Sequence, residues 1–411
     1  MEQIEVVVIG GGAAGMMAAI SAAKKGAKVT ILEATERVGN KILVTGNGKC
    51  NFSNAIMDYS RYYCKNNTFL RLVFERVPSC EIRKFFEEAG MLIKNKSGYL
   101  YPYGEQASIV LDILRTQLKK WQVSVVTGAK VKKVTKEDEV FYIETEKGTV
   151  YQADRVVMAT GGRSYPKTGS DGSGYKLAKK LGHTIVPTVP ALVQLCGSDD
   201  FYKIIAGVRM EGKVSLYVNE EPVRTEDGEI QFTDYGISGI PIFQLSRIAA
   251  YAIYNKKDVT IKADVFPNYS INRIRELVKE RMEIHIDNTL EEFMCGLNNK
   301  KLCLLAIKHA GKKPEDPVRK MSYEELLEMV LYLKKIVFHI VDTKGYETAQ
   351  VTAGGVEISE LSYFLQSTKV KGMFFAGEMI DVDGICGGYN LQWAFASGMV
   401  AGEEAANKGL D

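Results

Sequence analysis

The chain has 411 residues and seven cysteines (Cys50, Cys64, Cys80, Cys196, Cys295, Cys303 and Cys386), and no two of them make a C-x-x-C pair. Their odd number and scatter argue against a disulfide framework, a cysteine zinc site and a thioredoxin-type dithiol. A reducing cytosol fits best. The four histidines, His183, His285, His309 and His339, show no metal-ligand spacing and read as structural. Charge of one sign is missing too. Fifty-three basic residues face 50 acidic ones, for a formal +3, and no block of like charges stands out. That weighs against nucleic acid as a partner, because neutralising phosphates takes clustered Lys and Arg. Long apolar runs are absent apart from VVVIGGGAAGMMAAI at 6–20. No basic segment precedes this run and glycines interrupt it, so neither a signal peptide nor a membrane span is expected. The sequence therefore predicts a cytoplasmic protein with no membrane partner. It shows no internal repeat and no low-complexity linker.

What is present is apolar: 46% of the residues are hydrophobic, enough for more than one domain. Residues 4–9 (IEVVVI) read as a buried parallel strand, about 14–25 as a helix of small residues, and 28–33 (KVTILE) as a second strand. This is a βαβ unit with short connections. Helical spacing recurs over 69–90 and 106–121, and period-two patterns run from about 123 to 158. Residues 191–265 look like strands interrupted by a helix at about 239–254, and 270–335 like charged helices. Glycine-rich apolar sequence returns near 350. The pattern predicts a nucleotide-binding domain over 1–190 and 346–411. An insertion over 191–345 splits it, β-rich over 191–265 and helical over 266–345.

Between the first strand and helix stands Gly10-x-Gly12-x-x-Gly15, with Ala13 and Ala14 inside it. Gly10 permits the tight turn, Gly12 lets backbone approach a pyrophosphate, and Gly15 lets helix and strand pack closely. The helix N-terminus adds unpaired N–H groups and the positive end of a dipole. Glu33 closes the second strand, where a carboxylate can accept both ribose hydroxyls and disfavours a 2′-phosphate. This motif alone does not separate NAD from FAD. A second buried strand ends in Ala-Thr160-Gly161-Gly162. The segment MFFAGEMIDVDG at 373–384 then returns to the dinucleotide fold some 200 residues later. Such a chain suits a long ligand crossing the sheet, and FAD is one.

The chain resembles the BaiN/YhiN-like family of FAD-dependent oxidoreductases, also described as aminoacetone-oxidase-like flavoproteins. The motifs run nearly end to end: GGGAAGMMAA at 10–19, GNKILVTGNGKCNFSN at 39–54, and ATGGRSYPKTGSDGSGYKLAKKLGH at 159–183. TDYGISGIPIFQLS at 233–246 and AGEMIDVDGICGGYNLQWAFASG at 376–398 complete them. Lys49 stands where Arg is common, and Thr45 where Ser is. The resemblance implies an α/β fold: a Rossmann-like FAD domain of the glutathione-reductase type with an inserted β-rich and helical substrate domain. It also implies that Asn40, Lys41 and the segment Gly46-Asn47-Gly48-Lys49-Cys50-Asn51 hold the middle of the flavin. Val131 would meet the adenine edge, and Gly377, Glu378, Asp381 or Asp383 the ribityl region. Gly387-Gly388-Tyr389-Asn390 would turn the N–H groups of the last helix toward flavin N1 and O2, favouring the reduced anion.

Tyr235 and Cys386 are the candidate catalytic residues. Tyr235 would give a proton to a substrate carbon opposite flavin N5, against the alternative of a packing tyrosine. Cys50 and Cys386 read first as small apolar fillers beside the ring. Ser238 is expected to cap a helix that has Pro241 in its first turn. The loop GSDGSG at 169–174 resembles a phosphate loop, but no strand leads into it, so a second dinucleotide fold is not expected. The chemistry implied is hydride transfer at flavin N5 to a small molecule in a pocket between the domains, with NADH or NADPH as a transient donor. The substrate would be an activated C=C bond in a bile-acid or steroid-like oxo-compound. The alternatives are amine oxidation with oxygen, a flavin-dependent RNA-modification module, and a non-catalytic flavoprotein. Oligomeric state is not legible.

Overall fold

The computed structural model describes residues 3–56 and 58–410. Two compact units emerge, one running to Pro190 and resuming at Tyr346, the other spanning Ala191–Gly345. The first is built on a five-stranded parallel sheet. Its strand order is Met373–Phe375, Arg155–Met158, Glu5–Ile9, Lys28–Leu32 and Ser124–Val126. The central strand is buried from Val6 to Ile9, as expected of a strand covered on both faces.

Helix Ala13–Lys24 is buried from Ala14 through Ala22, and its small residues explain how. The last helix, Tyr389–Ala405, lies so close that a Cβ on Gly398 would stand 2.5 Å from the Ala14 carbonyl oxygen. One on Gly402 would stand 2.1 Å from that of Ala18. Glycine and alanine thus set the contact distance, and larger side chains there would push the helices apart. Trp393, 1% exposed, fills the other side of the same helix and donates its indole N–H to the Gly377 carbonyl at 3.1 Å.

Three smaller features position the site. Strands Val131–Glu137, Val140–Thr145 and Val150–Ala153 form an antiparallel excursion, with a register slip just after Val131. Strands Ser53–Asn54, Tyr99–Pro102 and Ile93–Lys96 form a second sheet. Its hairpin closes through Ser97 and Gly98, both at positive φ (51° and 96°), the geometry that two-residue hairpins favour. At the edge of the main sheet, His183 is fully buried. Ser367 Oγ accepts from the N–H groups of Lys369 and Val370, which leaves its own O–H for His183 Nε2 at 2.9 Å. The Nδ1 proton then faces Glu360 Oε2 at 3.2 Å. Burial lowers the pKa of His183, consistent with a neutral ring in this bridge.

The helical pattern over 69–90 forms two helices, Asn67–Arg76 and Ser79–Glu88. Pro78 separates them: it lacks an N–H and pushes Val77 out of the α region, to φ −131° and ψ 78°.

The second unit is a closed six-stranded barrel. Around it run Leu195–Gly197, Gly236–Ser238, Glu221–Phe232, Arg209–Val218, Val259–Asp264 and Ile336–Thr343. The expectation that 266–345 is helical throughout is corrected here. Helices occupy 271–332, but Ile336–Thr343 is the strand that closes the barrel. Ile336, Phe338 and Ile340 point inward, and His339 and Val341 are exposed. Phe338 stacks on Phe232 with centroids 5.8 Å apart. The charged helices also carry an apolar stripe. Ile274, Val278, Leu326, Met329 and Val330 join the barrel's core, and Arg273 pairs with Glu280 on the exposed side. Ser238 caps nothing. It lies in a strand opposite Gln231, and helix Ile240–Tyr254 starts from Gly239 without a side-chain cap.

Candidate functional site

In the first unit the glycine motif has three distinct jobs. Gly10 sits at φ +102°, where a Cβ would be 2.5 Å from the Ala159 carbonyl oxygen. A Cβ on Gly15 would be 1.9 Å from the Gly10 carbonyl oxygen. Both are required by packing alone. Gly12 is different: its φ is −77°, and a Cβ there would meet no atom of the described residues within 4 Å. It is the N-cap of helix Ala13–Lys24 and offers no side chain to the N–H groups of Ala13, Ala14 and Gly15. An open surface in front of unpaired helix N–H groups is what a pyrophosphate requires.

Glu33, 8% exposed, ends its strand beside this turn. Its Oε2 accepts from Gly11 N at 2.7 Å, and its Oε1 from Thr35 N and Thr35 Oγ1, both at 2.7 Å. A carboxylate has about four acceptor positions, so roughly one is left. The expected grip on two ribose hydroxyls narrows to one. Asn40 Nδ2 donates to Thr35 Oγ1 at 3.0 Å, extending the polar chain. Backbone bonds from Gly128 N to Thr35 O and from Ala129 N to Glu33 O bring the start of the antiparallel excursion, with Val131, to the same place. The 169–172 loop joins it: a Cβ on Gly169 would touch the Thr35 methyl at 2.9 Å. Ser170 Oγ is buried there with no partner among the described residues. The loop that resembled a phosphate loop is thus part of this site rather than of a second one.

Farther along, Lys41 Nζ pairs with Glu378 Oε2 at 2.5 Å, joining two segments that are 337 residues apart. Glu378 Oε1 accepts from Thr352 N at 2.6 Å and from Ser164 Oγ at 3.3 Å. Gly162 lies against this knot, since a Cβ would be 2.4 Å from Thr352 Oγ1. Gly161, at φ +71°, faces Ser170, and Thr160 Oγ1 lies 3.1 Å from Met379 Sδ. Gly377, at φ +73°, donates its N–H to Ser397 Oγ at 2.9 Å. Sequence reading missed Ser164, Thr352 and Thr35. Only their proximity in the fold reveals them.

The third cluster surrounds the start of the last helix. Thr45–Gly48 makes one tight turn, with Gly46 and Gly48 at positive φ; the side chain of Asn47 lies outside the described residues. Cys50 is fully buried, and burial pushes its thiol up to about 12, partly offset by a hydrogen bond with Thr45. It is a neutral thiol at any ordinary pH, which suits the filler role. Asn51 Oδ1 is buried without a donor among the described residues. A Cβ on Gly388 would come within 2.7 Å of it, so only glycine fits. Gly388, at φ +89°, leaves the first N–H groups of helix Tyr389–Ala405 without a side-chain cap. Asp381 and Asp383 are buried here at 4% and 2% exposure. Cys386, half-buried, lies two residues before Gly388.

The side chains of two of these residues are engaged within the protein. Asn390 accepts from Gly384 N at 2.8 Å and donates to Gly384 O at 2.7 Å, stapling the preceding loop. Tyr389 packs edge-on against Tyr62, with centroids 5.5 Å apart. They position the turn through their side chains. Gln392 went unnoticed: fully buried, it accepts from Ser53 Oγ and Asn54 N. A glutamine inside the apolar run LQWAFASG was the available signal.

Tyr235 belongs to the second unit. It is half-buried, with Lys344 Nζ 3.9 Å from its ring centroid. Burial raises its phenol above the ordinary value, partly countered by a hydrogen bond with Thr233. A neutral phenol is a proton donor at neutral pH.

The first unit therefore presents uncapped helix N-termini at two places, an acidic end of the second strand beside one of them, and two buried side-chain oxygens, Ser170 Oγ and Asn51 Oδ1, without a partner among the described residues. This arrangement fits a long dinucleotide.

A family model described as HI0933-like protein Rossmann domain matches residues 4–404. The chain is 40% identical over 407 residues to the 3-dehydro-bile acid delta(4,6)-reductase of Clostridium scindens, with 98% of each chain covered. It is 28% identical over 400 residues to the ribosomal RNA dihydrouridine synthase of Haemophilus influenzae, with 96% of each covered. Among solved structures, the 3-ketosteroid-delta4-(5alpha)-dehydrogenase of Rhodococcus jostii RHA1 superposes with a TM-score of 0.50 at 18% identity. The match spans 99% of this chain and 98% of that one, and shows a shared fold.

Proposed function

The chain belongs to the HI0933-like Rossmann family of FAD-dependent oxidoreductases, and from that premise we propose that it reduces a C=C bond conjugated to a carbonyl in a steroid-like acid. The observation that carries this reading is the 40% identity to a bile-acid reductase over 98% of both chains. The dihydrouridine synthase relative is named for a different substrate, yet uracil too has a C=C bond conjugated to a carbonyl. The shared reaction type supports reduction. The higher identity favours the steroid-like substrate over RNA.

FAD supplies a hydride at N5 when bound. The N–H groups of Ala13, Ala14 and Gly15 bind its pyrophosphate, helped by the helix dipole. Glu33, with Thr35 and Asn40, holds the adenosine ribose, and Val131 the adenine edge. The Lys41–Glu378 pair fixes the middle of the site, and Asp381 and Asp383 accept ribityl hydroxyls. Asn51 Oδ1, as an acceptor, and the uncapped N-terminus of helix Tyr389–Ala405 beside it, as a donor, would hold the flavin ring. Each reduction needs one proton as well as the hydride. Tyr235, a neutral phenol of the second unit, is the proposed donor of that proton to the carbon next to the carbonyl. Cys386 lines the site without acting as a nucleophile.

NADH or NADPH is the proposed electron donor, visiting the substrate side of the site. Steady-state assays with each donor and a carboxylated enone steroid test the whole reading. Loss of the enone absorbance with matching donor consumption supports it. No reaction with either donor, beside turnover of an amine with oxygen, would replace it with an oxidase. Tyr235→Phe should slow reoxidation by substrate about 10²-fold or more while leaving reduction by the donor alone; an unchanged rate removes Tyr235 from the mechanism.

A further inference from the structure

The small three-stranded sheet beside the last helix has two unlike faces. Leu100 and Pro102 point inward and are buried. The other face carries Lys94 opposite Tyr101 and Lys96 opposite Tyr99. Lys96 Nζ lies 5.5 Å from the Tyr101 centroid, so these side chains share one surface. Three ammonium groups converge on one carboxylate at its end. Glu105 has Lys96 at 2.5 Å, Lys94 at 2.9 Å and Lys49 at 3.6 Å. Hydrogen bonds from Lys96 and Lys94 hold Glu105 down to about 2, so it stays anionic. One carboxylate against three lysines leaves two positive charges in surplus. The lysines are 43–67% exposed, whereas Glu105 is 19% exposed. Tyr99 is 42% exposed.

This face is continuous with the cofactor cradle. A Cβ on Gly387 would be 2.8 Å from the Tyr99 ring, and Asn54, opposite Tyr99, donates from Nδ2 to the Gly387 carbonyl at 2.9 Å. Lys49 follows the Thr45–Gly48 turn directly. A solvated charged face is the ordinary use of such a strand. It does not explain two tyrosines set among surplus cations against the glycine turn.

We infer that this sheet face is the substrate platform: Tyr99 and Tyr101 receive a flat apolar ring system, and Lys94, Lys96 and Lys49 receive its carboxylate. The inference rests on the steroid-acid reading above and adds what recognises the acid. Aromatic rings offer apolar area at small entropic cost. Surplus ammonium groups at a surface give selectivity for an anion more than raw affinity.

The test is equilibrium dialysis of the FAD-loaded protein with a carboxylated enone steroid and with its neutral methyl ester. Wild type should prefer the acid by about tenfold, the scale of two partly exposed ion pairs. The double variant K94Q/K96Q should lose that preference while keeping stoichiometric FAD. Tyr99→Ala should weaken acid and ester alike. A preference that survives in K94Q/K96Q, or its absence in wild type, overturns the platform. So does displacement of the steroid acid by a short single-stranded RNA at lower concentration, which would make the face an RNA surface. Dialysis does not depend on turnover. Selective binding without reduction would leave the platform standing and remove the proposed reaction instead.

Discussion

At the scale of single residues, Gly12 and Gly15 look alike in the motif and differ in the fold. A Cβ on Gly15 would collide with the Gly10 carbonyl, whereas one on Gly12 would meet nothing. Gly15→Ala should therefore destabilise the protein by about 1–3 kcal/mol, measured by denaturant unfolding of the FAD-free form. Gly12→Val should fold as well as wild type yet bind FAD at least about tenfold more weakly, by about 1.4 kcal/mol. A Gly12→Val protein that binds FAD as tightly as wild type in a titration would contradict the phosphate-loop assignment. Cys50 gives a second test at this scale. With its thiol near 12 and no exposure, it should resist iodoacetamide in the native holoprotein at neutral pH and react once denatured. Labelling without unfolding would mean the burial is not what it is described to be.

Elements show how the sheet edge and the barrel are tied down. Burial alone would raise the Glu360 carboxyl, but Lys369 and Thr184 outweigh it and bring it to about 2. An unfolded glutamate titrates near 4.3. Because the folded value is depressed, this stabilisation is complete above about pH 5 and lost as the pH falls toward about 2. Glu360→Gln should therefore lower the Tm at pH 7 and lose most of that difference by about pH 2. A difference that does not shrink would assign the effect to packing. In the barrel, Phe338 comes from the strand that the sequence pattern misses. Phe338→Ala should cost about 3–5 kcal/mol by denaturant unfolding. The segment was hard to read because IVFHIVDT follows directly on a strong helical pattern, with its turn compressed into LysLys at 334–335. The period-two alternation is present, but too short to outweigh what precedes it.

For the molecule as a whole, motifs built from glycine were the legible part. Gly10, the Gly46–Gly48 turn and Gly387–Gly388 carry positive-φ backbone that other residues rarely adopt, Gly15 a contact too close for a side chain, and Gly12 an open helix N-terminus, so the sequence announces them. Side-chain partnerships across long separations were not legible. The Lys41–Glu378 pair, the Ser164–Thr352 knot and the three lysines on Glu105 depend on which strands become neighbours. Local patterns do not encode that. The return of the chain at Tyr346 was readable in outline because apolar, glycine-rich sequence reappears there.

The most direct test of the central claim is a single turnover without oxygen. The FAD-loaded protein is reduced stoichiometrically under anaerobic conditions and mixed with a carboxylated enone steroid, and the oxidised-flavin band is followed by stopped flow. The band should return, with one saturated product formed per flavin. A flavin that stays reduced in the presence of bound enone, and reoxidises only when oxygen is admitted, would contradict that claim.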